Sequence, residues 1–426
     1  MMALVLVIGF LVLIMLGVPI AFSLGISSLF YLLVTDIPLT IIPQAMFSGM
    51  DSFVMLAIPA FILAGNLMNA GGITDRIITF AKACVGHIRG GLGMTNVASS
   101  LGFAGISGTA LSDTASLGSV LIPSMKKEGY GGGFSAAVTS ISSTVGPMLP
   151  PSLPMIIIGT LAGISIGDLF IAGAIPGLLL AAGFLIVTYA ISVKRRYPKG
   201  DRQPLSVVGK SFLGAFWALL MVVIIMWGIL GGYFTPTEAA VIAVVYAFII
   251  GGLVYRELKP REIPTIIGNT LTLTLTASII LLVGLANLFG WILVYEDIPI
   301  MLADGILSIT ENSFLIVLLM LGLLLIIGMF IETIAALVIL FPVLLPVAES
   351  IGMDPIHFGV VMVLTLMIGL STPPVGVCLF VASGIAKVPI GKTVKELIPY
   401  FGVALLVLLL VSYIPSLSLF LPSLFD

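Results

Sequence analysis

A carboxyl group lies within a long apolar stretch of this chain. Asp113 belongs to residues 102–154, which read GFAGISGTALSDTASLGSVLIPSM, a short charged turn, and GGGFSAAVTSISSTVGPMLPPSLP. The stretch holds many hydroxyls, and Gly and Pro interrupt its helical runs. At membrane depth, non-helical backbone persists only where protein or a polar cavity satisfies it, and ionisable groups are usually functional. The pattern therefore predicts a binding site inside a bilayer.

The composition is typical of an α-helical membrane protein. Of 426 residues, 60% are hydrophobic and 8% are charged. Many apolar runs reach the roughly 20 residues of a spanning helix, and they do not alternate as β-barrel strands do. No Lys or Arg precedes the first run, so we expect it to be retained as a span rather than cleaved. The net charge of −2 and the lack of a long basic run give no sign of nucleic-acid binding.

The few cysteines and histidines do not form a motif. Cys84 and Cys378 lie far apart in the chain without a CxxC pattern, so we expect buried thiols rather than a disulfide or metal site. His87 lies in a cationic segment and His357 near a span end, and both are predicted to be structural.

Polar segments divide the chain into five predicted parts. The segment KRRYPKGDRQP at 194–204 is cytoplasmic by the positive-inside rule. The apolar run at 3–34 fits either one long tilted helix or two short ones. The parts are N-terminal scaffold helices (1–50), a first repeat (51–193), a cytoplasmic linker (194–210), a scaffold helix pair (211–262) and a second repeat (263–426).

The two long units match each other as an internal repeat. At a shift of 219 positions, the matches are Gly65 with Gly284, Asp113-Thr114 with Glu332-Thr333, and Pro123 with Pro342. At a shift of 223, after a small insertion, they are Gly146 with Gly369, Pro150-Pro151 with Pro373-Pro374, and Pro176 with Pro399. Single Gly matches are common in such a chain, but the paired residues indicate a true repeat.

Charge predicts the relative orientation of the repeats. The arm at 75–89 carries cations, whereas its counterpart at 294–311 carries only acids. The turn at 126–128 has two lysines, whereas its counterpart at 349–354 has only acids. The units are therefore predicted to cross the membrane in opposite directions, as in the inverted repeats of secondary transporters.

The predicted fold is an all-α polytopic membrane protein of inverted repeats, each with a re-entrant hairpin and a broken helix. An apolar run separates Arg89 from Lys126, and both are cytoplasmic by charge. This run predicts a hairpin that turns near Ser107–Asp113, and its counterpart is expected to turn near Gly328–Glu332. The predicted elements are hairpins at 91–125 and 312–346, broken helices at 134–163 and 357–386, and a C-terminal helix.

Hairpin tips would bring unsatisfied helix ends into the membrane, where N-termini attract anions and carbonyl ends attract cations. No Lys or Arg lies in the middle of a predicted span. A carboxylate solute would therefore depend on helix N-termini, hydroxyls and bound cations. Na⁺ suits such a site because it is a hard cation that binds hydroxyl and carbonyl oxygens.

Several of these residues also fit structural roles. Asp113 and Glu332 both fit N-caps of the second hairpin helices. The prolines at the breaks also fit simple kinks. Serines in spans usually bond back to their own helix, which applies to Ser140, Ser142 and Ser143.

Four stretches, GISGTALSDTASLGSVLIP, VGPMLPPSLP, GGYFTPTEAA and GLSTPPVG, resemble the large membrane subunit of TRAP (tripartite ATP-independent periplasmic) transporters. The resemblance covers essentially the whole chain. It implies elevator-type, Na⁺-driven uptake, without ATP, of an organic acid such as a dicarboxylate or sugar acid. It also implies a bacterial inner-membrane location, a small four-helix membrane subunit and a periplasmic substrate-binding protein. The first tip differs from that of sialic-acid members, which favours a smaller acid.

The resemblance also implies site residues. The first Na⁺ site resembles the tip residues Ser107 and Thr109 with carbonyls of Gly146, Leu149 and Pro151. Symmetry suggests a second site at Gly328, Gly369, Thr372 and Pro374, in which Gly328 offers only backbone. The solute is expected between the tips, near Thr109, Asp113, Ser152 and Glu332.

Other classes of protein fit parts of the sequence. Residues 105–108 match the GxSG pattern of rhomboid proteases, but that chemistry needs a His on a facing span, and neither His lies there. Residues 386–393 resemble a phosphate loop without its first Gly or a preceding strand. A channel also needs a polar membrane path, although two opposed hairpins favour alternating access.

Overall fold

The computed structural model of the protein describes residues 2–51, 53–272, 279–298, 301, 305, 310 and 312–425. Within those ranges the backbone forms helices, turns and one isolated β-bridge, between Arg89 and Lys199. Six described helices are long and apolar enough to cross a membrane, or up to eight if each of two bent helix pairs is one span. The predicted all-α class is confirmed.

The first apolar run folds as two helices, one of the two alternatives that the sequence left open. These are α1 (Met2–Met15) and α2 (Ile20–Val34), and α3 (Ile41–Met50) follows. Gly17 between them has a φ of 84°, and Pro19, which cannot donate a backbone hydrogen bond, precedes α2. The Phe10 ring packs 5.3 Å from that of Phe289, so the N-terminal helices contact the second repeat.

The first repeat begins with a bent helix pair. A 3₁₀ turn (Phe53–Leu56) leads into α4 (Ala57–Ala70), and α5 (Ile73–Val85) follows at an angle of 69°. Arg76 of α5 pairs with Glu257 at 2.7 Å and lies 3.8 Å from the centre of the Tyr255 ring. These contacts fasten the arm α5 to the segment that follows the scaffold pair.

The rest of the first repeat contains a helical hairpin and a broken helix. The hairpin consists of α6 (Gly91–Ser107) and α7 (Ala110–Lys127). The broken helix consists of α8 (Gly132–Ser142), a 3₁₀ turn (Ser143–Met148) and α9 (Leu153–Ala162). The helices α10 (Ile166–Ala172) and α11 (Ala174–Lys194) complete the repeat.

The linker after α11 packs against the base of the first hairpin. The Gly90 amide donates to the Pro198 carbonyl at 3.0 Å. The Tyr197 ring lies 4.5 Å from the Tyr130 ring. Burial raises the pKa of the Tyr130 phenol to about 12, so this phenol stays neutral. Arg195 pairs with Glu396 at 2.7 Å. The start of the linker is therefore held by the hairpin and by the C-terminal part of the chain.

The scaffold pair consists of α12 (Leu205–Leu230) and α13 (Pro236–Phe248), which continues as a π-helical turn (Ile249–Val254). A capping box of Thr235 and Glu238 begins α13.

The second repeat then follows. Its described helices are α14 (Ile263–Leu271), α15 (Ile279–Tyr295), the hairpin α16 (Ser313–Phe330) and α17 (Thr333–Ser350), the broken helix α18 (Pro355–Gly369) and α19 (Val377–Ala386), α20 (Ile390–Tyr413), α21 (Ser416–Leu419) and a 3₁₀ turn (Pro422–Leu424).

Much of the predicted acidic arm at 294–311 falls outside the described residues, including Asp304 and Glu311. The orientation of the hairpins can be read from α20 instead. Near its start, Lys126 at the base of the first hairpin donates to the Ala386 carbonyl at 2.7 Å. At its end, the Tyr413 hydroxyl donates to the carbonyl of Phe314, at the base of the second hairpin, at 2.8 Å. Because the 24 residues of α20 span ~36 Å, the hairpins enter from opposite ends.

The helix boundaries correct the register of the repeat. Ala110 and Thr333 begin the second hairpin helices and lie 223 positions apart, as do Gly132 and Pro355, which begin the broken helices. The predicted match of Asp113-Thr114 with Glu332-Thr333, and of Pro123 with Pro342, is therefore wrong. Asp113 lies one turn inside its helix, whereas Glu332 precedes its own, so the acids are not equivalent.

Candidate functional site

The first hairpin turns over two residues. After α6, Gly108 adopts a φ of 66°, which Gly tolerates and other residues rarely do. Thr109 is extended and caps α7, since its hydroxyl accepts from the Ser112 amide at 3.3 Å. The alternative interpretation of Asp113 as the N-cap is therefore wrong: Asp113 is fully buried inside α7. The side chain of Ser107 lies outside what the structure describes.

The first broken helix loses its hydrogen-bond ladder at the paired prolines. Neither Pro150 nor Pro151 has an N–H to donate, and the bond between them is cis. The Leu149 amide closes the 3₁₀ turn on the Gly146 carbonyl at 3.0 Å. Ser152 restarts the helix: its hydroxyl donates to the Pro147 carbonyl and accepts from the Met155 amide. This break leaves backbone carbonyls outside a regular helix.

The second hairpin turns at Ile331 and Glu332. The Glu332 carboxylate caps α17, accepting from the amides of Ile334 at 2.9 Å and Ala335 at 3.4 Å. Glu332 therefore has the structural role that its N-cap interpretation gives it. A carboxylate at this place also complements the positive end of the helix dipole.

The second broken helix packs tightly on that hairpin. A Cβ atom on Gly369 would come within 2.7 Å of the Gly328 backbone, so only glycines permit this approach. The Gly376 amide donates to the Met329 carbonyl at 3.0 Å, which ties the break to the hairpin. Thr372 is buried beside them, and its hydroxyl donates to the Ile368 carbonyl at 2.7 Å. The structure thus brings three of the four proposed second-site residues, Gly328, Gly369 and Thr372, into one neighbourhood.

The two hairpin tips and the two breaks meet around a cavity of about 30 Å³. Thr109 and Glu332, two of the four predicted solute contacts, line it, whereas the other two, Asp113 and Ser152, are not among its lining residues. Thr333 and Cys378 line it too and were missed by the sequence reasoning. Nothing in the sequence marks Cys378, and Thr333 gains its place only from the start of α17. The remaining lining residues are Gly108, Ala110, Leu111, Pro147, Pro154, Ile334, Met367, Leu370 and Val377.

Serine hydroxyls join the two repeats next to this cavity. Ser140 of the first broken helix donates to Ser371 of the second at 3.1 Å, and Ser371 donates to the Ser140 carbonyl at 2.9 Å. Ser142 and Ser143 bond back to the Thr139 carbonyl, as serines in spans usually do. The crossing of the broken helices is therefore a fixed polar contact inside the apolar core.

His357 forms its side-chain contacts outside this cavity. Its Nδ1 lies 2.6 Å from the Ser418 hydroxyl and its Nε2 lies 3.3 Å from the Ser412 carbonyl. These contacts lie near the end of α20, where the second hairpin has its base, and they hold the C-terminal segment. His357 therefore has the structural role that was predicted for it.

Two opposed hairpins and two broken helices that meet inside an all-α membrane protein are the arrangement of secondary transporters. A family model described as "Tripartite ATP-independent periplasmic transporter, DctM component" matches residues 7–417. The chain belongs to this family, as its motifs predicted.

Individual proteins agree with this assignment. The chain is 43% identical to the sialic acid TRAP transporter large permease protein SiaM of Vibrio cholerae, over 98% of this chain and 97% of that protein. It is 38% identical to the C4-dicarboxylate TRAP transporter large permease protein DctM of Pseudomonas aeruginosa, over 94% of each. The YdaH transporter of Alcanivorax borkumensis shares the fold, with a TM-score of 0.61, 16% identity and 88% coverage of each chain. The protein is a multi-pass membrane permease and not an enzyme.

Proposed function

We propose that this chain drives Na⁺-coupled secondary uptake of an organic acid across the bacterial inner membrane, without ATP. A periplasmic binding protein delivers the solute, and a small four-helix membrane subunit completes the complex. One observation carries the proposal: in a member of this family, both hairpin tips and both helix breaks converge on one cavity. In secondary transporters, discontinuous helices of this kind hold both the solute and the coupling ion.

The lack of cations near the cavity supports a role for Na⁺. The sequence has no Lys or Arg at 90–125, 128–193 or 262–386, and these ranges include both hairpins and both broken helices. A carboxylate that enters the cavity would thus meet no cationic side chain from them. Na⁺ bound beside the tips would supply the missing positive charge, which makes solute binding depend on the ion.

The residues at both breaks fit such an ion. At the first break, Ser107 and Thr109 would act with carbonyls of Gly146, Leu149 and Pro151. At the second, the Thr372 hydroxyl would act with backbone oxygens of Gly328, Gly369 and Pro374. All of these ligands are oxygens, and no group of three or more His, Cys, Asp or Glu side chains comes together in the described ranges. The chemistry of the donors favours a hard alkali cation over a transition metal.

Relatives and cavity size together limit the solute and its mode of entry. The two permeases compared above are named for sialic acid and for C4-dicarboxylates, which share a carboxylate. The cavity of about 30 Å³ holds about two water molecules and is too small for either. The tips must therefore separate to admit a solute, as an elevator with a gate at the hairpins requires. We infer a carboxylate solute that enters between the tips, in the cavity that Thr109 and Glu332 line.

Uptake in proteoliposomes tests this function. The chain would be reconstituted with its small subunit and binding protein, and labelled succinate and N-acetylneuraminate would be supplied with an inward gradient of Na⁺ or of K⁺. We expect saturable uptake of one acid that needs both Na⁺ and the binding protein, and that Ser107→Ala weakens. Equal uptake with K⁺ would contradict ion coupling. Flux that never saturates and ignores the binding protein would instead indicate a channel.

A further inference from the structure

One hydroxyl on the cavity wall lacks the partner that its neighbours have. Thr333 is 2% exposed, and within the described part of the chain its Oγ1 has no hydrogen-bond partner. Other buried threonines bond back to their own helix: Thr114 donates to the Ala110 carbonyl at 2.9 Å and Thr365 to the Val361 carbonyl at 2.6 Å. Buried polar groups are nearly always hydrogen-bonded, so an exception points to a ligand or a water.

The position of Thr333 in its helix explains the exception. A back-bond needs a carbonyl three or four residues earlier on the same helix. Thr333 is the first residue of α17, so the carbonyls three and four residues earlier are those of Phe330 and Met329, in α16. The Met329 carbonyl accepts from the Gly376 amide at 3.0 Å, and Ile331 and Glu332 are extended between the two helices. The hydroxyl is left at the cavity wall.

Polar groups beside Thr333 are already engaged. The Glu332 carboxylate accepts from the Ile334 and Ala335 amides, and the Thr109 hydroxyl accepts from the Ser112 amide. A solute that reached these groups would first have to displace helix caps. Thr333 can donate without any such loss, and it does so at the positive end of a helix dipole.

We propose that Thr333 is a solute-contact residue whose hydroxyl donates a hydrogen bond to a carboxylate oxygen of the transported acid. This inference rests on the proposed function, because it assumes that the acid enters the cavity between the tips. At the equivalent position in the first hairpin the chain has Ala110, which also lines the cavity but offers no hydroxyl. The second tip therefore offers the solute carboxylate a side-chain hydrogen-bond donor, and the first tip offers none at the equivalent position.

Cys378 provides a reporter for this contact. It lines the same cavity, whereas Cys84 lies on the arm α5, so a Cys84→Ser background leaves one thiol at the site. The full-length chain in lipid nanodiscs with NaCl would be treated with N-ethylmaleimide, and succinate and N-acetylneuraminate would be titrated as protectants. The half-protecting concentration reports binding of each acid without requiring transport.

Three variants separate the contact from general damage. Thr333→Val replaces the hydroxyl by a methyl group of similar size and should raise the half-protecting concentration about 10-fold or more, as expected when a bond to a charged group is lost. Thr333→Ser keeps the hydroxyl and should stay within about 3-fold of the parent. Thr365→Val removes a buried hydroxyl from α18 that does not line the cavity, and should leave protection unchanged.

Each other outcome is decisive. If the acids protect Cys378 in Thr333→Val as well as in the parent, the proposed Thr333 contact is wrong. Protection of the parent would still support the proposed solute site. If neither acid protects Cys378 in the parent in NaCl, the proposed function fails at this cavity, and the Thr333 contact fails with it.

Discussion

Ser152 is an example of a residue near the site whose role is structural. The family resemblance places it among the expected solute contacts. In the structure it is fully buried, caps α9 and holds the Pro147 carbonyl, so its hydroxyl is used on both sides. Its role follows from the restart of the helix after the break.

Ser152→Ala should therefore lower stability and leave solute affinity unchanged. Loss of a buried cap and of its hydrogen bond should cost ~1–2 kcal/mol, measured by denaturant unfolding of the purified chain. Ser165→Ala, which removes the exposed cap of α10, is the matched control and should cost less. If the Ser152→Ala protein has normal stability but needs a higher acid concentration for half-maximal uptake, Ser152 is a solute contact.

Residue identity alone could not assign the caps. Thr109 and Asp113 are both of types that cap helices, and the sequence pattern suggested this role for Asp113. The chain turns at Gly108, five positions before Asp113, so Thr109 becomes the cap and Asp113 lies inside α7. Thr333 and Cys378 were missed for the same reason, because a position on a cavity wall depends on where neighbouring elements end.

Contact between elements at the second break depends on two glycines. The Gly328 and Gly369 backbones touch, and this contact sets the distance between the second hairpin and its broken helix. The proposed second Na⁺ site lies at this contact, so its geometry requires that no side chain intervene.

Gly369→Ala should separate these elements. The added methyl group would meet the Gly328 backbone at 2.7 Å, which cannot move aside as a flexible side chain would, and overpacking of this kind costs ~1–3 kcal/mol. Gly384→Ala, in α19, meets nothing within 4 Å and should be neutral or stabilising by up to ~1 kcal/mol. Unfolding of both proteins in the same denaturant series checks this difference, and equal stability would contradict the proposed packing.

The breaks at Pro150-Pro151 and Pro373-Pro374 could be predicted, because paired prolines interrupt a helix, whereas the separate Pro342 and Pro346 lie inside α17. The turn near 331 was predicted only as the counterpart of the turn near 108. The register of the repeat could not be predicted as well. Single matches at a shift of 219 appeared as good as those at 223, and only the helix starts distinguish them.

At the scale of the whole molecule, the distribution of charged residues was more informative about the orientation of the hairpins than the local residue pattern was. Lysines on one base and acids on the other predicted opposed hairpins, and the contacts at the two ends of α20 agree. The sequence could not show that the tips enclose only about 30 Å³, because cavity size depends on packing from four separate elements. This closure is the physical reason to expect a gating movement during transport.

The proposed binding of Na⁺ to oxygen ligands at the tips can be measured on the purified chain alone. Thermal unfolding would be compared in NaCl, KCl and choline chloride at equal ionic strength. Na⁺ at about ten times its dissociation constant should add ~1.4 kcal/mol, and Ser107→Ala combined with Thr372→Val should lose most of that gain. We expect a higher unfolding temperature in NaCl alone. The same unfolding temperature in all three salts would contradict it.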